Sequence, residues 1–84
     1  MNETKILEKF LEIIKEFVKN TELLNSVTNK TRLIDDLKVN SARLVDIIIG
    51  TEDAFNIQIG DDDADRIETV GDAVDVISEK LRLA

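Results

Sequence analysis

Cysteine and histidine are both absent from this chain of 84 residues. Without cysteine there is no disulfide frame, no thiolate nucleophile and no zinc–cysteine site. Without histidine, a Ser-His-Asp triad, a Cys-His pair and a His-ligated metal are excluded as well. Tryptophan and tyrosine are missing, and three Phe are the only aromatics, so the core has to be aliphatic. Proline is absent and Gly occurs three times, which favours helices over a strand-and-turn fold. No apolar run approaches the roughly 20 residues of a membrane-spanning helix. Met1 is followed by Asn-Glu-Thr rather than by a signal peptide, so a cytoplasmic location is expected.

What is present is apolar enough to fold. Hydrophobic residues make up 43% of the chain, and the length implies one domain, residues 1–84. A domain of this size has little room for an internal active site. Net charge is −7 and unevenly placed. Residues 1–34 hold six Lys/Arg and five Asp/Glu, a net of +1, while residues 35–84 hold five and thirteen, a net of −8. Nucleic acid is therefore a poor partner. A basic protein surface is a better one, with simple solubility as the bland alternative.

The apolar spacing predicts helices. Ile6, Leu7, Phe10, Leu11, Ile13, Ile14, Phe17 and Val18 recur every three or four residues, which predicts a helix over 3–19. Residues 20–40 are rich in Asn, Thr and Ser and read as a long loop, pinned to the core by Leu23, Leu24, Val27, Leu33, Ile34 and Leu37. A second helix is expected from Ser41 or Ala42 to Phe55, apolar over so wide an arc that it is buried on two sides or lines a cavity. Gly50 within it suggests a close backbone approach. Residues 55–59 alternate and read as an extended linker. Asp61 to Ile67 reads as a short helix capped by Asp61. Thr69-Val70-Gly71-Asp72 resembles a capping box with Asp in place of Glu, opening a last helix with Val70, Ala73, Val74, Ile77 and Leu81 on its buried face. The expected fold is all-α: a four-helix bundle of three long helices and one short one, with a long first loop.

Ser41 stands where the polar stretch meets the apolar helix. A serine there suits the N-cap, since its hydroxyl can accept from orphan backbone N–H groups. The same place favours a phosphate-linked group. Almost nothing else in the chain can do chemistry. Asp61, Asp63 and Asp65 have the opening spacing of a calcium loop, but Arg66 and Asp72 stand where glycine and glutamate are needed, so no metal site is expected. Asp35 and Asp36 read as capping or docking groups rather than as an acid/base pair. The sequons at Asn2 and Asn29 have no consequence in a cytosolic chain.

These residues resemble a family. Ile34-Asp35-Asp36-Leu37 with a serine four residues on, a helix ending in Phe55-Asn56-Ile57-Gln58-Ile59, the acidic segment Asp61–Ile67, and Thr69-Val70-Gly71-Asp72-Ala73-Val74 together are similar to the acyl carrier proteins over nearly the whole chain. The resemblance implies that Ser41 carries phosphopantetheine through a phosphodiester, delivered from coenzyme A by a phosphopantetheinyl transferase that uses magnesium. The terminal thiol of that arm holds acyl groups as thioesters. The chain is then a monomeric shuttle rather than an enzyme, serving acyl-transferring or condensing enzymes of fatty-acid, specialised lipid or polyketide synthesis. Val45, Ile47, Ile48, Ile49, Phe55, Ile57, Ile59, Ile67 and Ala73 are implied as core or acyl-pocket lining. Asp46, Glu52 and Asp53 are implied to dock on basic partner patches, with Asn40, Ala42 and Arg43 tuning partner choice.

The chain departs from the family pattern in ways that suggest a specialised carrier. Asn40-Ser41-Ala42 replaces the usual Asp-Ser-Leu, Arg43 stands where an acid is common, and Gly60 replaces a common proline. Two other readings remain open: an unmodified acidic adaptor that binds a basic partner, and a carrier of amino-acid cargo.

Overall fold

The computed structural model describes residues 2–83. The described residues form four α-helices: α1 (Glu3–Ile14), α2 (Leu44–Phe55), α3 (Asp61–Asp65) and α4 (Val70–Leu83). Three are long, one is short, and the described residues contain no β-strand. The expected all-α bundle is therefore what forms. No helix among the described residues is long and apolar enough to cross a membrane.

Helix α1 begins where Asn2 Oδ1 accepts from the Lys5 N–H at 2.9 Å. It buries Ile6, Phe10 and Ile14, spaced at four residues so that they share one face, and packs on both α2 and α4. The expected helix over 3–19 is shorter than predicted. It tightens into a 3-10 turn over Lys15–Phe17, and Val18 is extended. Val18 is buried nonetheless.

The loop over 20–40 is more ordered than its composition suggests. A 3-10 segment, Thr21–Ser26, starts where Asn20 Oδ1 accepts from the Glu22 N–H. Farther on, three backbone bonds tie the loop to the start of α4: Gly71 N–H to Asn29 O at 2.9 Å, Val70 N–H to Thr31 O at 2.9 Å, and Leu33 N–H to Glu68 O at 3.0 Å. Leu33 and Leu37 are buried, and Leu23, Leu24 and Val27 pack half-buried on the core. Ile34 does not pin the loop: it is 42% exposed, because it lies in the turn between those two anchors. Asp36 serves that turn locally, its Oδ2 accepting from the Arg32 N–H at 2.8 Å.

The capping box forms as read. Asp72 N–H donates to Thr69 Oγ1 at 3.0 Å, and Thr69 N–H donates back to Asp72 Oδ2 at 3.1 Å. Burial pushes the Asp72 carboxyl up, but the N–H donors of Thr69 and Glu68 outweigh it and hold the carboxyl below its ordinary value. Helix α4 buries Val70, Ala73, Val74 and Ile77, with Leu81 half-buried. It also buries Val76, which lies off the expected stripe. Helix α3 is capped by Gly60 rather than Asp61, and it ends at Asp65 rather than Ile67. Its first turn is acidic (Asp61, Asp62 and Asp63), which suits the positive end of the helix dipole.

Candidate functional site

The approach to Ser41 is fixed by alternating burial. Leu37 and Val39 are buried, and Lys38 between them is exposed with φ of 59°. An L residue in this left-handed region carries a penalty of about 1–2 kcal/mol, which the two buried neighbours offset. Val39 N–H also donates to Leu33 O at 3.1 Å. The chain then enters a helical turn over Ser41–Arg43 that continues directly into α2.

Ser41 is not the N-cap. Asn40 is: its Oδ1 accepts from the Ala42 N–H at 2.9 Å, and its backbone O accepts from the Arg43 N–H at 2.8 Å. The side-chain oxygen of Asn40 takes the Ala42 N–H, so the serine falls one position into the helix. Ser41 itself is exposed at the helix start. The chain has no histidine to activate it. An external catalyst is therefore required for any chemistry at this hydroxyl by a His-based route.

Helix α2 turns two apolar stripes in different directions. Leu44, Ile47, Ile48 and Thr51 face inward and line a narrow apolar cavity together with Ile59, Ala64, Ile67 and Ala73. Buried Phe10, Leu33 and Ile77 complete it. Its free interior is about 20 Å³, close to the space that one water molecule needs. Thr51, the polar residue of the lining, is buried and its Oγ1 donates to Ile47 O at 2.8 Å. The cavity surface is thus left apolar.

Five of the nine residues expected to line a pocket meet at this cavity: Ile47, Ile48, Ile59, Ile67 and Ala73. Phe55 and Ile57 are buried in the core but outside the lining, and Lys9 Nζ lies 4.9 Å over the Phe55 ring. Val45 and Ile49 are neither core nor lining. They are 62% and 50% exposed, because their positions one residue past Leu44 and Ile48 rotate them to the outer face. Leu44, Thr51, Ala64, Phe10, Leu33 and Ile77 were missing from the expected lining. Leu44 and Thr51 sit at three and ten residues from Ser41, a helical spacing that could have flagged them.

The acidic residues also divide. Asp53 is exposed. Asp46 pairs with Arg43 at 3.0 Å, an exposed contact worth about 0–1 kcal/mol. Glu52 is turned inward on its own loop: its Oε2 accepts from the Ile59 N–H at 2.7 Å, and its backbone O accepts from the Ile57 N–H at 3.1 Å. These bonds brace residues 56–59 after α2 ends at the left-handed Asn56, φ 55° and ψ 50°. Glu52 is thus a strut for the cavity-lining Ile59 rather than a free surface charge.

Helix α3, which contributes Ala64 to the cavity, is held to α4 by charge. Asp63 accepts from Lys80 at 2.7 Å, and Arg66 reaches Glu79 at 3.0 Å and Asp63 at 3.4 Å. The Lys80 hydrogen bond, working against desolvation, holds the Asp63 carboxyl below its ordinary value. Arg66 is pushed up by Glu79.

No family model matches the chain, and no curated protein does. Among solved structures, the acyl carrier protein from Enterococcus faecalis, described for novel structural components that contribute to its high thermal stability, matches with a TM-score of 0.73 and 32% identity. The match covers 95% of this chain and 99% of that one. A helical fold shared over nearly the full length of both chains, together with this level of identity, places the chain in the acyl carrier protein family.

Proposed function

We propose that the chain is an acyl carrier, acting as one domain over residues 1–84, in which Ser41 bears phosphopantetheine. One observation carries this reading: the exposed Ser41 stands at the start of the helix whose inner face, Leu44, Ile47, Ile48 and Thr51, lines the apolar cavity. Such an arm supplies the thiol that a chain without cysteine lacks, and acyl groups are held on it as thioesters. Asn40 keeps the Ser41 turn in place and leaves the serine exposed. Ile47, Ile48, Ile59, Ile67 and Ala73, with Leu44 and Ala64, form the apolar wall that shelters the acyl cargo.

The cavity has room for about one water, so cargo enters by displacing a wall. Helix α3 is the softest candidate: it has five residues and no side-chain cap. Local opening is easiest where buried apolar contacts are few, and a ligand can make such a minor state dominant.

The chain carries substrates and leaves bond-making to its partners. Those partners are a phosphopantetheinyl transferase and acyl-transferring or condensing enzymes with basic patches. Asp53 and the acids of α3 meet these patches, while Ala42, Val45 and Ile49 give an apolar contact. The chemistry served is fatty-acid, specialised lipid or polyketide synthesis.

Intact mass after incubation with coenzyme A, magnesium and a broad-specificity phosphopantetheinyl transferase tests the reading. A gain of one phosphopantetheine on the wild type and none on Ser41→Ala supports it. If several transferases and the protein isolated from its own cells all show an unmodified mass, the carrier reading fails and the acidic adaptor takes its place.

A further inference from the structure

An open groove beside Ser41 is lined by Glu16, Phe17, Lys19, Lys38, Asn40 and Arg43. Three cations thus meet on one small surface of a chain whose net charge is −7. Two distant parts of the sequence build it. Lys19 follows the 3-10 turn that ends the first helical segment, and Lys38 comes from the loop before Ser41. Lys38 is held outward because its neighbours Leu37 and Val39 are buried and its φ is 59°. Among the described residues, neither Lys19 nor Lys38 lies within ion-pair distance of a carboxylate. Glu16 lines the same groove, and Asp46 reaches Arg43 at 3.0 Å. Counting both, cations still outnumber carboxylates here, three to two. Half-buried Phe17 adds an apolar wall.

We infer that this groove docks an acidic patch on the surface of a partner protein, at the Ser41 end of the molecule. The argument is charge complementarity: like charges set opposite each other are disfavoured, and a cationic groove on an anionic chain orients encounters. The carrier reading gives this surface its purpose, since a partner reaching Ser41 meets the groove at Asn40 and Arg43. A partner then presents acid near Ser41 and base toward α3, and this two-signed pattern fixes one orientation. The basic docking face of a partner that reads only acids is repelled by Lys19, Lys38 and Arg43.

The test uses the unmodified chain of 84 residues, so it does not depend on the arm. The ¹⁵N-labelled protein is titrated at low salt with an oligo-aspartate peptide, with an oligo-lysine peptide and with inorganic phosphate. Oligo-aspartate is expected to shift the amides of residues 16–19 and 38–43 and to leave those near Lys5, Lys9 and Lys30 in place. The Lys19→Ala/Lys38→Ala variant is expected to weaken this binding by about tenfold, as two exposed charge contacts suggest. Lys19→Arg/Lys38→Arg is expected to restore it. Both variants change exposed side chains, and their spectra report whether the fold is kept. Shifts scattered over all lysines, or binding unchanged in the alanine variant, overturn the inference. So does inorganic phosphate that reproduces the shifts at equal charge concentration, since the groove would then be a phosphate site.

Discussion

The same substitution at two glycines should have opposite consequences. A Cβ at Gly71 would stand 2.7 Å from the backbone O of Asn29 and 3.0 Å from its Cβ. Those atoms cannot swing aside, because Gly71 N–H is bonded to that same carbonyl at 2.9 Å. Relief requires moving the loop off the first turn of α4, which disturbs the neighbouring bonds from Val70 to Thr31 and from Leu33 to Glu68. Overpacking of this kind costs about 1–3 kcal/mol, and the gain in helix propensity returns at most about 1 kcal/mol. Gly71→Ala is therefore expected to destabilise by about 1–2 kcal/mol. At Gly50 a Cβ would meet only the Ile13 Cγ2 methyl, at 3.3 Å. Ile13 is half-buried, so a shift of a few tenths of an ångström is available to it. The propensity gain should then prevail, and Gly50→Ala is expected to be neutral or stabilising by about 0.5 kcal/mol. Urea unfolding followed by far-UV circular dichroism measures both, and for a domain this small each kcal/mol moves Tm by about 4–8 °C. A Gly71→Ala protein as stable as wild type, or a Gly50→Ala protein less stable than Gly71→Ala, would refute the steric reasoning.

Further outcomes follow from the caps, the ion pairs and the cavity. Asp72→Ala should remove about 1 kcal/mol at neutral pH by opening the capping box. Because the Asp72 carboxyl is held below its ordinary value in the folded chain, its contribution is present above the usual carboxylate range and lost as pH falls through the lowered value. Tm measured from pH 7 down to acid should therefore converge for wild type and variant. Lys80→Ala should let the Asp63 carboxyl rise toward its ordinary value and speed amide exchange at Ala64 and Ile67. Unchanged exchange would mean that packing alone holds α3. With Ser41 bearing the proposed arm, loading it with a medium-length acyl chain should raise Tm, since each methylene buried contributes up to about 0.8 kcal/mol. An unchanged Tm would place the chain in solvent.

Local signals were legible, and contacts between distant segments were not. The helical spacing of Ile6, Phe10 and Ile14, the reciprocal Thr69 and Asp72 bonds, and the alternation of buried Phe55, Ile57 and Ile59 with exposed Asn56 and Gln58 are all written within a few residues. So is the position of Ser41 at the head of an apolar helix. The identity of its cap was not, because Asn40 and Ser41 are both good capping residues and only the backbone path decides which one reaches the free N–H.

Helix α2 shows the boundary most clearly. Its residues supply two apolar stripes, one through Leu44, Ile47, Ile48 and Thr51 and one through Val45 and Ile49. Periodicity says that both exist, but not which one the rest of the protein covers. That choice is made by α3, α4 and the loop that brings Leu33 beneath them. The same holds for Glu52 and Lys38. Each looks like an ordinary surface charge in sequence, yet one braces Ile59 and the other is held out beside Ser41. The sequence by itself determined the helices and where the serine stands. The tertiary structure decided which faces close on the cavity and which charges gather beside Ser41, because burial and charge proximity depend on segments that meet only once the chain has folded.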